Sequence, residues 1–230
     1  MTQTPVEDRL LAAMTSHVPF DGWSEPAFRA AIAQSEVNET VARALYPRGA
    51  VDLALAYHRK GDCAMIARIE QADLSAMRFR DRIAFAVRAR LEAVEDRELV
   101  RRGMTLFSLP NHAPEGARAI WNTADAIWTA LGDTSDDVNW YTKRATLSAV
   151  YSATVLYWLG DDTPDHHATW EFLDRRIDNV MQVEKVKAQA RGNPVLSKLM
   201  AGPDMLLSRL RAPKPPSGFP GRWRPQDTEH

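Results

Sequence analysis

Asp161, Asp162, Asp165, His166 and His167 crowd one short stretch, "GDDTPDHH", and form the densest group of metal-ligating side-chain types in the chain. Carboxylates beside imidazoles could hold a divalent cation and with it a hydrolytic or redox centre. The same residues also have a local use. Acids ahead of a helix satisfy its free N–H groups and suit its positive end, and Thr163, Pro164 and Asp165 stand just before "HATWEFLDRRIDNVM". Capping is the simpler use, so no metal is expected. Asp136 and Asp137 could do acid–base work, but they too precede a helical stretch and read as caps. The chain has no glycine-rich phosphate loop, no G-x-S-x-G turn, no H-E-x-x-H pair and no E-x-x-H pair. No catalytic residue and no cofactor is expected, and the chain is not read as an enzyme. Cys63, the single cysteine, excludes an internal disulfide and is expected to be a buried, inert thiol.

The elements that would position these residues are helical throughout. Strand alternation is scarce, while apolar residues recur at helical spacing. Val6, Leu10, Ala13, Met14 and Val18 form a first stripe that Pro19 should end. Two short helices, "EPAFRAAIAQ" and Glu39 to Tyr46, follow. A longer helix begins near Ala50, with Gly61 and Asp62 expected to interrupt it. "RDRIAFAVRARLEAV" places Ile83, Val87 and Val94 inward and its arginines on the remaining faces, and "RELVRRGMTLFSL" should stop at Pro110. The next helix aligns Ile120, Trp121, Ala124, Ile127, Trp128 and Leu131, with Gly132 placed for a left-handed cap. The helix after it carries no charge from Ala145 to Gly160, which predicts burial on every side. These elements give 1–48 as a three-helix N-terminal part and 49–192 as a larger helical domain. Residues 193–212 read as an amphipathic segment and 213–230 as a disordered, proline-rich tail.

The 230 residues carry a formal net charge of −1, with 45% apolar and 26% charged residues, which excludes a surface built wholly for nucleic acid. The longest uncharged stretch is too short to span a bilayer, and no signal or transit pattern opens the chain. The expected location is the bacterial cytoplasm, in peripheral contact with the inner membrane. That contact falls to "VLSKLMAGPDMLLSRLRA", where Leu196, Leu199, Met200, Met205, Leu206, Leu207 and Leu210 oppose Lys198, Arg209 and Arg211.

The stretch "DGWSEPAFRAAIAQSEVNETVARALYPRGAVDLALAYH" resembles the helix-turn-helix of the tetracycline-repressor family, in which the last short helix enters the major groove. Here that helix opens on Glu36 and Glu39 and contains only Arg43, so the fold is implied and DNA binding is not. A ligand-responsive transcription factor is the alternative function. A second resemblance is carried by "LPNHAP", "DAIWTALGDTSDDVNWYTKRATLSAVY" and "TPDHHATWEFLDRRIDNVM", with "LLAAMTSHVPFDGW" at the start. It is similar to the ninth Coq family, the lipid-binding accessory proteins of ubiquinone biosynthesis.

That resemblance implies an all-α, tetracycline-repressor-like fold and a non-catalytic protein. It would bind isoprenoid quinone precursors or other lipids and present substrate to the demethoxyubiquinone hydroxylase at the membrane. It also implies a docking patch for the hydroxylase around "NWY", with Asp137, Trp140 and Tyr141 as contacts and Arg144 in support. An apolar ligand is expected between the helices bearing Met104, Phe107, Trp121, Trp128, Leu147 and Tyr151, where large and flexible side chains should converge. A homodimer is expected through a late helix, around Trp170 to Val183.

Overall fold

A computed structural model describes residues 4–192 and 211–213, with side chains to residue 182 and in 211–213. Among the described residues nine α-helices follow one another: α1 (Val6–Asp21), α2 (Glu25–Ser35), α3 (Glu39–Leu45), α4 (Ala50–Gln71), α5 (Phe79–Glu92), α6 (Arg97–Phe107), α7 (Ala113–Ala130), α8 (Val138–Leu159) and α9 (His167–Gly192). The described residues contain no strand. Short polar side chains start several helices by accepting from free backbone N–H groups. Ser24 accepts from Ala27, Asn38 from Thr40, Asp96 from Glu98 and Asp137 from Asn139. Gly132, at φ +82°, closes the turn after α7 in the left-handed conformation expected of it.

Two sequence expectations about boundaries fail for tertiary reasons. α1 runs through Pro19 to Asp21. Its last turn is held from outside, by Arg102 of α6 donating to the Pro19 carbonyl at 3.0 Å. α4 is unbroken through Gly61 and Asp62. Arg90 of α5 lies across Gly61, where a Cβ would meet Nη1 at 2.5 Å, and its Nε donates to Asp62 at 2.7 Å. The two residues read as a break form the seat of a buried arginine. Arg90 is 4% exposed and so departs from the outward faces assigned to the α5 arginines.

The core has two parts. The first joins α1, α2, α3 and the start of α4, with Phe28, Leu10, Met14 and Leu53 fully buried and Leu99 of α6 closing one side. The second lies among α4, α5, α7, α8 and α9 around Met65, Leu91, Ile127 and Leu173. α6 and α7 approach closely because Gly116 has no side chain; a Cβ there would lie 2.7 Å from that of Phe107. α8 is not buried on every side. Ala145 and Ala149 face outward, and Leu156 and Tyr157 are 59% and 40% exposed. Lack of charge misleads here because small residues sit on a solvent face at little cost.

Candidate functional site

α4, α6, α7 and α8 converge on an apolar cavity of about 160 Å³, with Leu91 and Val94 from the end of α5. Met104, Phe107 and Tyr151, three of the six residues expected to line a ligand site, meet there with Trp23, Tyr57 and Val155. The other three part from them. Trp128 and Leu147 line a second cavity of about 210 Å³ with Phe79, Ile83, Ile177 and Val180. Trp121 lines neither of these two; it packs against Trp140 and Tyr141, with ring centroids 5.9 and 6.5 Å away. Helical spacing placed the six on inward faces without specifying which neighbour each face meets.

A buried polar network closes one side of the first cavity. Arg90 donates through Nε to Asp62 and through Nη2 to the His58 carbonyl at 3.0 Å, and Thr123 donates to Asp62 at 2.9 Å. His58 Nε2 lies 2.8 Å from the Thr123 hydroxyl. Burial holds the His58 pKa down at about 4, against the pull of Asp62 and with help from Arg90, so the ring is neutral near pH 7. Its Nε2–H then donates to Thr123, whose own proton goes to Asp62. Beyond His58 and Ala119 opens a polar cleft of about 510 Å³ that includes Arg48, Arg59 and Arg118. Tyr57, His58 and Arg90 were not singled out as site residues in the sequence, and Asp62 was read only as a helix break, because a charge or a tyrosine inside a helical pattern carries no mark of burial.

The start of α8 is the second candidate region. Trp140 and Tyr141 are half-buried and meet edge to face with centroids 4.8 Å apart. Asp137 is exposed, and its carboxylate accepts from Asn139 at 2.8 Å as a helix cap. Arg144 does not face outward with the other three candidates. It is 2% exposed, its guanidinium lies 4.0 Å from the centroid of Trp140, and it pairs with Asp125 and with Asp133 at 3.0 Å. It therefore supports the patch from beneath. Asp133 also accepts from Lys143 at 2.6 Å and Ser135 at 2.8 Å. Burial opposes its charge, yet these donors hold its pKa down at about 2. The chain's own residues rest on this region. Tyr141 donates its hydroxyl to the Arg211 carbonyl at 3.1 Å, Ala212 N–H donates to the Asp136 carbonyl at 2.9 Å, and Arg211 lies 3.6 Å from the Asp136 carboxylate.

The acid-and-histidine stretch caps α9. Asp161 accepts from Thr163 and from the backbone of Thr169 at 2.8 Å, and Thr163 accepts from Ala168 at 3.1 Å. Burial opposes the Asp161 charge, but these donors hold its carboxyl well below the usual range. Among the described residues no group of three His, Cys, Asp or Glu could hold a metal ion. Cys63 is exposed, not buried, because it lies on the outer face of the unbroken α4. No described helix is long and apolar enough to cross a membrane. The residues expected to touch one, Leu196, Leu199, Met200, Met205, Leu206, Leu207 and Leu210, lie outside the described residues.

Residues 113–184, from the start of α7 into α9, match the COQ9 family model. The chain is similar to the mitochondrial ubiquinone biosynthesis protein COQ9 of Drosophila melanogaster, 31% identical over 81% of this chain and 59% of that protein. It is likewise similar to the mitochondrial COQ9 proteins of Xenopus tropicalis and Homo sapiens, 30% and 28% identical, each over 86% of this chain and over 66% and 65% of theirs. The chain thus spans 59–66% of the length of these relatives. In fold it is similar to a TetR transcriptional regulator from Nitrosomonas europaea, with a TM-score of 0.62 and 19% identity over 76% of this chain and 97% of that one. The fold is all-α and tetracycline-repressor-like, and in sequence the chain is similar to the COQ9 proteins of ubiquinone biosynthesis.

Proposed function

We propose that this chain is a non-catalytic accessory protein of ubiquinone biosynthesis that binds isoprenoid quinone precursors or other lipids. On this reading it presents substrate to the demethoxyubiquinone hydroxylase at a membrane surface. The observation that carries the reading is the apolar cavity walled by Tyr57, Met104, Phe107 and Tyr151, in a chain whose relatives are named for ubiquinone biosynthesis. Mostly apolar walls with a few convergent polar groups are the usual form of a small-molecule site. Trp140 and Tyr141 are the proposed contacts with the hydroxylase, and the segment 193–212 the proposed contact with the membrane. A homodimer and peripheral attachment to the bacterial inner membrane belong to the same proposal.

The transcription-factor reading is less well supported. In α3 the single base, Arg43, is held by Glu25 at 2.7 Å and Glu39 at 3.0 Å, so its charge is already met. The deciding experiment is mass spectrometry of the organic extract of protein purified from a quinone-producing host. Co-purified prenylated quinones or their precursors are the expected result. Protein free of any lipid that also fails to take up added lipid would overturn the reading.

A further inference from the structure

The surface at the start of α8 is covered in part by the same chain. One peptide unit, between Arg211 and Ala212, is held there on both of its edges. Its carbonyl accepts from the Tyr141 hydroxyl at 3.1 Å, and its N–H donates to the Asp136 carbonyl at 2.9 Å. The C=O and N–H of a trans peptide point in opposite directions, so this unit lies between Asp136, in the turn before α8, and Tyr141, in the first turn of the helix. The Arg211 guanidinium adds a third contact, 3.6 Å from the Asp136 carboxylate. Ala212 precedes Pro213, which biases its backbone towards the extended form and keeps the segment out of a helix.

These contacts define what the surface accepts. A phenol donor, a backbone acceptor and an exposed carboxylate suit an extended segment with a basic side chain: main-chain bonds hold the peptide and the charge fixes its register. They also set how firmly the segment stays. The side chains of Arg211 and Asp136 are 77% and 80% exposed, and an ion pair so open to water adds little. Two hydrogen bonds then stand against the entropy of fixing three residues, and the opposing terms are of similar size. A contact balanced in this way opens and closes readily.

We propose that residues 211–213 are a built-in competitor for the partner surface at the start of α8, occupying Asp136 and Tyr141 in the free protein and leaving when a partner docks. The inference rests on the docking reading above and adds its regulation. The partner segment that fits offers a carbonyl to Tyr141, an N–H to the Asp136 carbonyl and a cation to the Asp136 carboxylate. Apparent affinity for that partner scales with the fraction of molecules in which the segment is open, so a closed form in roughly fivefold excess lowers it about sixfold.

The test measures capture of the hydroxylase by the full chain, using biolayer interferometry. Ala212→Pro removes the N–H that reaches Asp136, and Arg211→Glu turns the ion pair into a repulsion. Both residues lie outside α1 to α9, so the thermal midpoint should hold in each variant. Each is expected to capture the hydroxylase about 3- to 10-fold more tightly than the unaltered chain. Capture unchanged in both, while Tyr141→Ala still weakens it, would overturn the competition and leave the docking reading standing. Weaker capture in both would make residues 211–213 part of the partner contact, and so would overturn the competition as well. If the unaltered chain and both variants alike capture nothing, the docking reading and this inference fail together.

Discussion

The Arg144 guanidinium sits 4.0 Å from the centroid of the Trp140 ring and 3.0 Å from the Asp133 carboxylate, so one buried cation positions an aromatic contact and neutralises an acid. Removing one member of a buried pair leaves the other charge uncompensated, at about 3–5 kcal/mol. Arg144→Met is therefore expected to lower stability to urea by that order. It should also reduce capture of the hydroxylase indirectly, by releasing Trp140. Tyr141→Ala should weaken capture by about 30-fold, the scale of an interfacial hot spot, with little loss of stability. Capture unchanged in Tyr141→Ala would remove this surface from the proposed interface.

Acid should weaken the fold in two steps. His58 has a folded pKa of about 4, below its ordinary value near 6.5, so the unfolded chain takes up a proton first as pH falls. Its contribution is present above about pH 6.5 and is lost towards pH 4, at up to about 1.4 kcal/mol per pH unit. Asp133 follows: its folded pKa of about 2 lies below the unfolded value, so its contribution is complete above about pH 4 and fades towards pH 2. Urea titrations across this range should show both slopes, and His58→Gln should flatten only the upper one.

Gly61→Ala should cost about 3 kcal/mol, because the new methyl group would take the place of the Arg90 guanidinium and separate it from Asp62. Gly132→Ala should cost only about 1 kcal/mol, since that glycine has a left-handed φ but open space around it. Equal costs at the two positions, measured by denaturant unfolding, would remove the special role given to Gly61.

The N-terminal three helices should show no salt-sensitive preference for any duplex. With Arg43 bound to two glutamates, α3 offers phosphates little free charge. Fluorescence anisotropy at low salt is the check. Tight binding to one sequence, lost in Arg43→Ala, would contradict the expectation.

Residues that act locally were legible in the sequence. Asp137 caps α8 as its type and place suggest, and Gly132 adopts the left-handed turn its position implies. The stripe of Leu10, Met14 and Val18 is buried as its spacing requires. What could not be read depends on a partner distant in sequence. Gly61 marks a break on local rules, and only Arg90, from another helix, makes it a point of close contact. Arg144 looks like a surface charge until Asp133 and Asp125 surround it. Trp121 and Trp128 share a helical stripe, yet one joins the aromatic group at Tyr141 and the other a separate cavity, a division that spacing along one helix does not encode.

The continuity of α4 has a mechanical consequence. Its 22 residues make a rod roughly 33 Å long that enters both parts of the core, through Leu53 near one end and Met65 towards the other. A glycine followed by an aspartate at mid-length would ordinarily be a joint, but here the clamp of Arg90 on Asp62 stiffens it. Tyr57 and His58, on the wall of the apolar cavity, ride on that rod a little over one turn from the clamp. The helix that joins the two parts of the core is thus also the one that carries a wall of the cavity, so a break in it would disturb all three together.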